Sequence, residues 1–148
     1  MADQATDDAT AYTTALVAHM RGPVDLAALA ESIDATAARS EAARVRFVIA
    51  GGEVHQEVID RLPPCEMIDL RGKTDPESAA RAWIDAALLD PFDTAAGPLI
   101  RASLLRVGDD HTLAYLSAHH LVLDGTAVGL LLSAALTRYG RHAAGARR

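Results

Sequence analysis

Apolar and polar positions repeat with two different periods along the chain, and the switches between them outline a fold. Residues 11–20 read as a strand that ends at Gly22-Pro23, a pair of backbone breakers. Beyond it Leu26, Leu29, Ile33 and Ala37 recur at helical spacing, and Asp25 is placed to accept hydrogen bonds from the free N–H groups of the first turn. Residues 45–50 and 53–59 predict two strands, joined by Gly51-Gly52, a pair suited to a tight hairpin with positive φ. Leu62-Pro63-Pro64 interrupts regular structure, and residues 65–70 predict another short strand. Thr74 and Glu77 have capping-box spacing, with Pro76 tolerated in the first turn of the helix they announce. Ala80, Trp83, Ile84, Ala87 and Leu88 form its apolar stripe, and Asp90-Pro91 ends it. Residues 99–107 and 112–119 are two further β-runs, joined through Gly108-Asp109-Asp110. The last helix carries Val128, Leu131, Leu132, Ala135, Leu136 and Tyr139 on one face, with Gly140 placed to end it. Hairpins among the strands exclude a plain βαβ array. The expected class is therefore α+β, an α/β sandwich in which helices cover a mixed β-sheet. Residues 1–10 are expected to be disordered, residues 11–140 to form one lobe, and residues 141–148 to be a flexible tail.

Composition narrows the partners. The chain has 148 residues, half of them apolar but only 4% aromatic, so its core is aliphatic and alanine-rich. A formal net charge of −6 argues against nucleic acid, which needs a basic footprint, and against an anionic membrane. The acidic N-terminus is no signal peptide, and no apolar run approaches the ~20 residues of a membrane helix. Cys65 is the single cysteine, which permits neither an internal disulfide nor a CxxC metal site and fits a reducing cytoplasm. It follows two prolines with no basic neighbour and is read as inert; Trp83, on its apolar stripe, is read as core. His19, His55, His111 and His142 are expected at the surface or in turns, and the Arg138, Arg141, Arg147, Arg148 cluster is expected to be a solvated helix end.

The segment with chemical content is His119-His120-Leu121-Val122-Leu123-Asp124-Gly125. Leu113, Tyr115, Ser117 and His119 share one face of the preceding strand, and Ala114, Leu116 and Ala118 share the other. Two adjacent histidines at a strand end must diverge, one turned inward to fix the loop and one toward a cleft. Imidazole, with an unperturbed pKa of about 6.5, is the usual general base near neutrality. Asp124 starts a turn that Gly125 allows, close to a helix N-terminus. From there its carboxylate either orients a histidine or holds the loop by pairing with an arginine. No convincing third ligand lies near, so no metal is expected.

His-His-x-x-x-Asp-Gly resembles the signature of the condensation domains of nonribosomal peptide synthetases, shared by the chloramphenicol acetyltransferase-like superfamily. Pro91-Phe92-Asp93, Gly97-Pro98-Leu99-Ile100-Arg101, Leu104 and the Asp109-Asp110 turn resemble the run that leads into it. Residues 24–29 resemble the family's first long helix, and residues 39–47 its Arg-His-Glu-x-Leu-Arg-Thr-x-Phe motif, with Ser40 and Ala43 in place of the histidine and leucine. The resemblance implies the N-terminal lobe of a condensation domain, one lobe of the chloramphenicol acetyltransferase-like fold. It implies amide-bond formation by transfer of an acyl or peptidyl group from a carrier-protein thioester to an amine. His120 is then base or positioner of the amine, and His119 and Asp124 are structural members. Arg44 or, second, Arg39 is the salt-bridge partner of Asp124, and Gly125 is the residue that lets the backbone turn. The chain would bind no cofactor itself; phosphopantetheine would arrive on acyl or peptidyl carrier proteins. Family members have a second lobe, so this chain would supply half an active site, completed by a second condensation lobe or by self-association. The rival readings are a non-catalytic binding or docking module, and an acetyltransferase-like homotrimer with sites between subunits.

Overall fold

The computed structural model describes residues 12–60 and 62–146. The disorder expected for residues 1–10 lies outside them. A four-stranded mixed sheet has the order β1-β6-β5-β4, built from β1 (Thr13–Arg21), β4 (Glu66–Asp69), β5 (Ile100–Gly108) and β6 (His111–His119). β6 pairs antiparallel with β1 and β5, while β4 runs parallel to β5 across a helical crossover. β2 (Val45–Ala50) and β3 (Glu53–Val58) form a separate hairpin through Gly51-Gly52, whose φ values of 61° and 78° only glycine adopts cheaply.

Three helices sandwich the larger sheet: α1 (Leu26–Ala38), α2 (Pro76–Leu89) and α3 (Gly125–Ala146). α1 and α3 pack on one face, where Leu29, Ile33, Val128 and Leu132 meet Ile100, Leu104, Ala114, Leu116 and Ala118. α2 covers part of the other, with Ala80, Trp83 and Ile84 against Leu105, Val107 and Leu113. Every residue from His111 to Ala118 is buried, which marks β6 as the strand covered on both sides. Trp83 is half-buried and meets Tyr115 edge-on, with ring centroids 5.3 Å apart.

Local structure departs from the sequence reading in three places. Asp75, not Thr74, caps α2: its carboxylate accepts hydrogen bonds from the Ser78 backbone N–H and hydroxyl. Pro76 then falls at the first helical position, where its missing N–H costs nothing. α3 passes through Gly140 to Ala146, so residues 141–146 of the expected tail are helical; packing against α1 and the sheet outweighs a single glycine. Residues 147–148 lie outside the described ones. His111 is buried, not at the surface, and its Nε2 lies 3.0 Å from His19 Nδ1. Gly97, with φ of 60°, is where the loop after α2 touches the hairpin; a Cβ there would sit 2.8 Å from Ile59 Cδ1 and 3.1 Å from Arg46 Cβ. Among the described residues no helix is long and apolar enough to cross a membrane.

The cap reassignment has a measurable consequence. Asp75→Ala is expected to lower unfolding stability by about 1 kcal/mol, as the loss of a carboxylate N-cap does. Thr74→Ala is expected to change it by less than about 0.5 kcal/mol. Urea denaturation of both variants checks the ordering, and a larger loss for Thr74→Ala would contradict a cap at Asp75.

Candidate functional site

β6 ends at His119, at one end of the sheet, where the His119 N–H donates to the Leu99 carbonyl at 2.9 Å. His120 follows in a turn and its N–H donates to the Tyr12 carbonyl at 2.7 Å. The pair is thus held by backbone on both sides, to the entry of β5 and of β1. The side chains diverge as expected of adjacent positions: His119 is half-buried and His120 exposed.

His119 is the anchor. Its ring stacks on Tyr12, 6.0 Å between centroids and 7° between planes, and meets Phe92 in an edge geometry at 6.3 Å. Its Nδ1 accepts the Leu121 N–H at 3.1 Å, while its carbonyl accepts from Val122 and Leu123 N–H. An Nδ1 that accepts a hydrogen bond carries no proton, so the ring is neutral with its hydrogen on Nε2. Burial pushes the His119 pKa below the ordinary histidine value, and the neighbouring His120 pushes it the same way.

Asp124 sits immediately before α3. Its Oδ1 accepts the Ala127 N–H at 2.8 Å and its carbonyl accepts from Val128 at 3.0 Å, an N-cap that fixes where the loop becomes helix. The expected pairing with Arg44 or Arg39 does not form: among the described residues Asp124 makes no ion pair with either. The helix N-terminus, with its free N–H groups and positive dipole end, provides the carboxylate's partner instead. Arg44 Nε is buried without a hydrogen-bond partner among the described residues, and Arg39 is exposed. Gly125 is also used differently from the expectation. It is the first residue of α3 and is not among the positive-φ glycines; a Cβ there would meet Thr14 Oγ1 at 3.6 Å, an ordinary contact.

The sequence reading missed what grips His119 from outside the motif: Tyr12, Phe92 and, behind Phe92, Arg101. Their only trace in the sequence was Pro91-Phe92 and Arg101 within the stretches compared with the family. Among the described residues Ser117 Oγ and Tyr115 OH are buried without a hydrogen-bond partner, on the β6 face that also carries His119. A cavity of about 570 Å³ lies between α1, α2 and the β5 edge, lined by residues including Ile33, Trp83, Pro98, Arg101 and Tyr115. Neither His119 nor His120 lines it. Cys65 is buried and its thiol is pushed up to about 12, by burial first and then by Asp34 and Glu66. Such a thiol is unreactive near neutrality. Among the described residues no three His, Cys, Asp or Glu side chains are grouped to hold a metal ion.

Burial also lowers the pKa of His111, helped by Arg21 and His19 and opposed by Glu77. Both His119 and His111 therefore titrate below the ordinary 6.5 in the folded chain. Between 6.5 and those lower values the unfolded chain binds more protons than the folded one, so these groups make stability rise with pH in that window. Unfolding midpoints in urea are expected to fall as pH is lowered from 7 towards 5.5, and to fall less in His111→Gln. A midpoint independent of pH over that range would contradict the lowered pKa of both rings.

Comparison with known proteins agrees with this architecture. The family model described as "Condensation domain" matches residues 1–147. The chain is 37% identical over 125 residues to malpinin synthetase of Mortierella alpina, covering 82% of this chain and 2% of that protein. It is likewise 37% identical over 132 residues to the phosphinothricin tripeptide synthetase PhsC of Streptomyces viridochromogenes, covering 87% of this chain and 12% of that one. Among solved structures, the starter condensation domain of rhizomide synthetase RzmA superposes with a TM-score of 0.84 at 25% identity, over 97% of this chain and 35% of that one. The chain therefore spans a small fraction of the synthetases it matches and about a third of the structurally similar chain. The mixed sheet with covering helices is the chloramphenicol acetyltransferase-like fold of these neighbours. With its histidine pair at the end of the central strand, this chain belongs to the condensation domain family of nonribosomal peptide synthetases.

Proposed function

We propose that this chain is the histidine-bearing, N-terminal lobe of a condensation domain. In this reading it takes part in transfer of an acyl or peptidyl group from a carrier-protein thioester to an amine. The observation that carries the reading is the division of labour between the two histidines: His119 is locked neutral by the loop it supports, and His120 is left exposed beside it.

The amine nitrogen attacks the thioester carbonyl carbon, the C–N bond forms, and the C–S bond breaks as the tetrahedral intermediate collapses. The thiolate leaves, and the proton shed by the amine passes to the His120 imidazole and then to solvent. Thiolate is a good leaving group, so proton transfer is the smaller lever. A positioned base contributes about 10²–10⁴-fold, or about 3–5 kcal/mol, whereas holding two tethered reactants together contributes about 7–11 kcal/mol. His120 accordingly orients the amine as well as receiving its proton, and His119 and Asp124 fix the loop that presents it. The partners are phosphopantetheine-bearing acyl or peptidyl carrier proteins, and a second lobe closes the other side of the cleft.

The test is single-turnover transfer between two loaded carrier proteins, with this chain alone and with a condensation second lobe supplied in trans. Activity is expected with the second lobe, and His120→Ala is expected to lower it by about 10²-fold or more. Asp124→Ala is expected to lower it less while costing about 1 kcal/mol of stability through the lost cap. Binding of carriers without transfer in either format would instead support a docking module. A stable trimer in light scattering, active without a second lobe, would support sites shared between subunits.

A further inference from the structure

We propose that Arg101 is a positioning residue for the histidine pair and acts through the ring of Phe92. The proposal rests on the transfer reading only for the use made of His120; the packing relation can be tested apart from it.

Arg101 lies on β5, opposite Ser117 of β6, two residues along each strand from the Leu99–His119 backbone bond. Its Nη1 donates to the Asp90 carbonyl at 2.7 Å and its Nη2 to the Pro91 carbonyl at 2.9 Å, with the Asp90 carboxylate 3.5 Å from Nη1. Its Cζ lies 4.2 Å from the centroid of the Phe92 ring. One guanidinium thus grips two successive carbonyls and lies over the next residue's ring. A planar fork does both at once; a lysine ammonium offers only a point donor. Phe92, 9% exposed, passes the constraint on, because its ring meets His119 at 6.3 Å and 70°. His119 in turn holds the Leu121 N–H. The relay runs from guanidinium to phenyl to imidazole to the turn that displays His120.

A plainer role is open to Arg101, that of closing the C-terminal end of α2. A closure of that kind would affect stability and leave the His119 ring as it is. The two roles separate by NMR on the intact chain, which reads the His119 titration midpoint and tautomer from ring nitrogen shifts and the Leu121 amide by hydrogen exchange. Arg101→Lys keeps the charge and loses the fork. It is expected to raise the His119 midpoint towards the ordinary histidine value, as water reaches the ring, and to speed Leu121 exchange by up to about tenfold, the loss of one modest hydrogen bond. Arg101→Met is expected to do the same, and to add nothing further in a Phe92→Leu background.

Three results would overturn the proposal. One is a midpoint unmoved by Arg101→Lys but raised by Arg101→Met, which is a plain charge effect. Another is an Arg101→Met effect that persists undiminished in Phe92→Leu. The third is a loss of thermal stability with the His119 midpoint and Leu121 exchange unchanged. The Arg101→Lys arm decides by itself if the Phe92 variant does not fold. In the two-lobe transfer assay Arg101→Lys is expected to lower kcat and leave KM for the donor carrier unchanged. A wild-type chain inactive there would count against the transfer reading, while the NMR arms would still judge the relay.

Discussion

The register of β6 between β1 and β5 is the constraint on which the site depends. It is the central strand of the sheet, paired on both edges and buried on both faces from His111 to Ala118. Side chains alternate along a strand, so a slip of one residue would exchange every residue facing α1 and α3 with one facing α2. Ala114, Leu116 and Ala118 fit under Leu29, Ile33 and Val128, whereas Tyr115 needs the room beside Trp83. The core therefore specifies the register, and the register decides which of two neighbouring histidines turns inward. His119 continues the face of Tyr115 and Ser117 and falls among Tyr12 and Phe92; His120 then has to point elsewhere.

The loop after the strand is stabilised by groups that would otherwise be costly. A half-buried imidazole left without partners loses hydration at a cost. Here the His119 Nδ1 accepts a backbone N–H, its own N–H and carbonyl are bonded, and two aromatic rings fill the space around it. Asp124 does the complementary task at the other end, satisfying a free N–H at the start of α3. Between these two anchors the backbone from 119 to 124 has little freedom, and the exposed imidazole of His120 is carried on a rigid support. Positioning of that sort is what a reaction limited by the meeting of two tethered reactants demands.

The same geometry clarifies the role of Asp124. A carboxylate in a loop motif invites the expectation of an arginine partner, and Arg39 and Arg44 lie in the stretch that resembles the family's earlier motif. The helix N-terminus supplies an alternative of comparable worth without bringing a second long side chain into place. The arginine that does bear on the site is Arg101, through contacts with carbonyls and a ring rather than with a carboxylate of the motif.

Much of this molecule was legible in the order of its residues. The period of apolar positions located the six strands and three α-helices of the described residues, because alternation and helical spacing are local properties of the chain. Gly51-Gly52 named its own turn, and the His119 to Gly125 run marked the strand-to-helix loop. What the sequence could not express is which side chains from distant segments converge. Tyr12 and Phe92 reach His119 across separations of 107 and 27 residues, distances that only sheet pairing closes. The capping partner of Asp124, the pairing of His19 with the buried His111, and the continuation of α3 past Gly140 were likewise decided by packing. Local sequence sets what each segment prefers to be; the free energy of burying those segments against one another decides which preferences are kept and which groups meet.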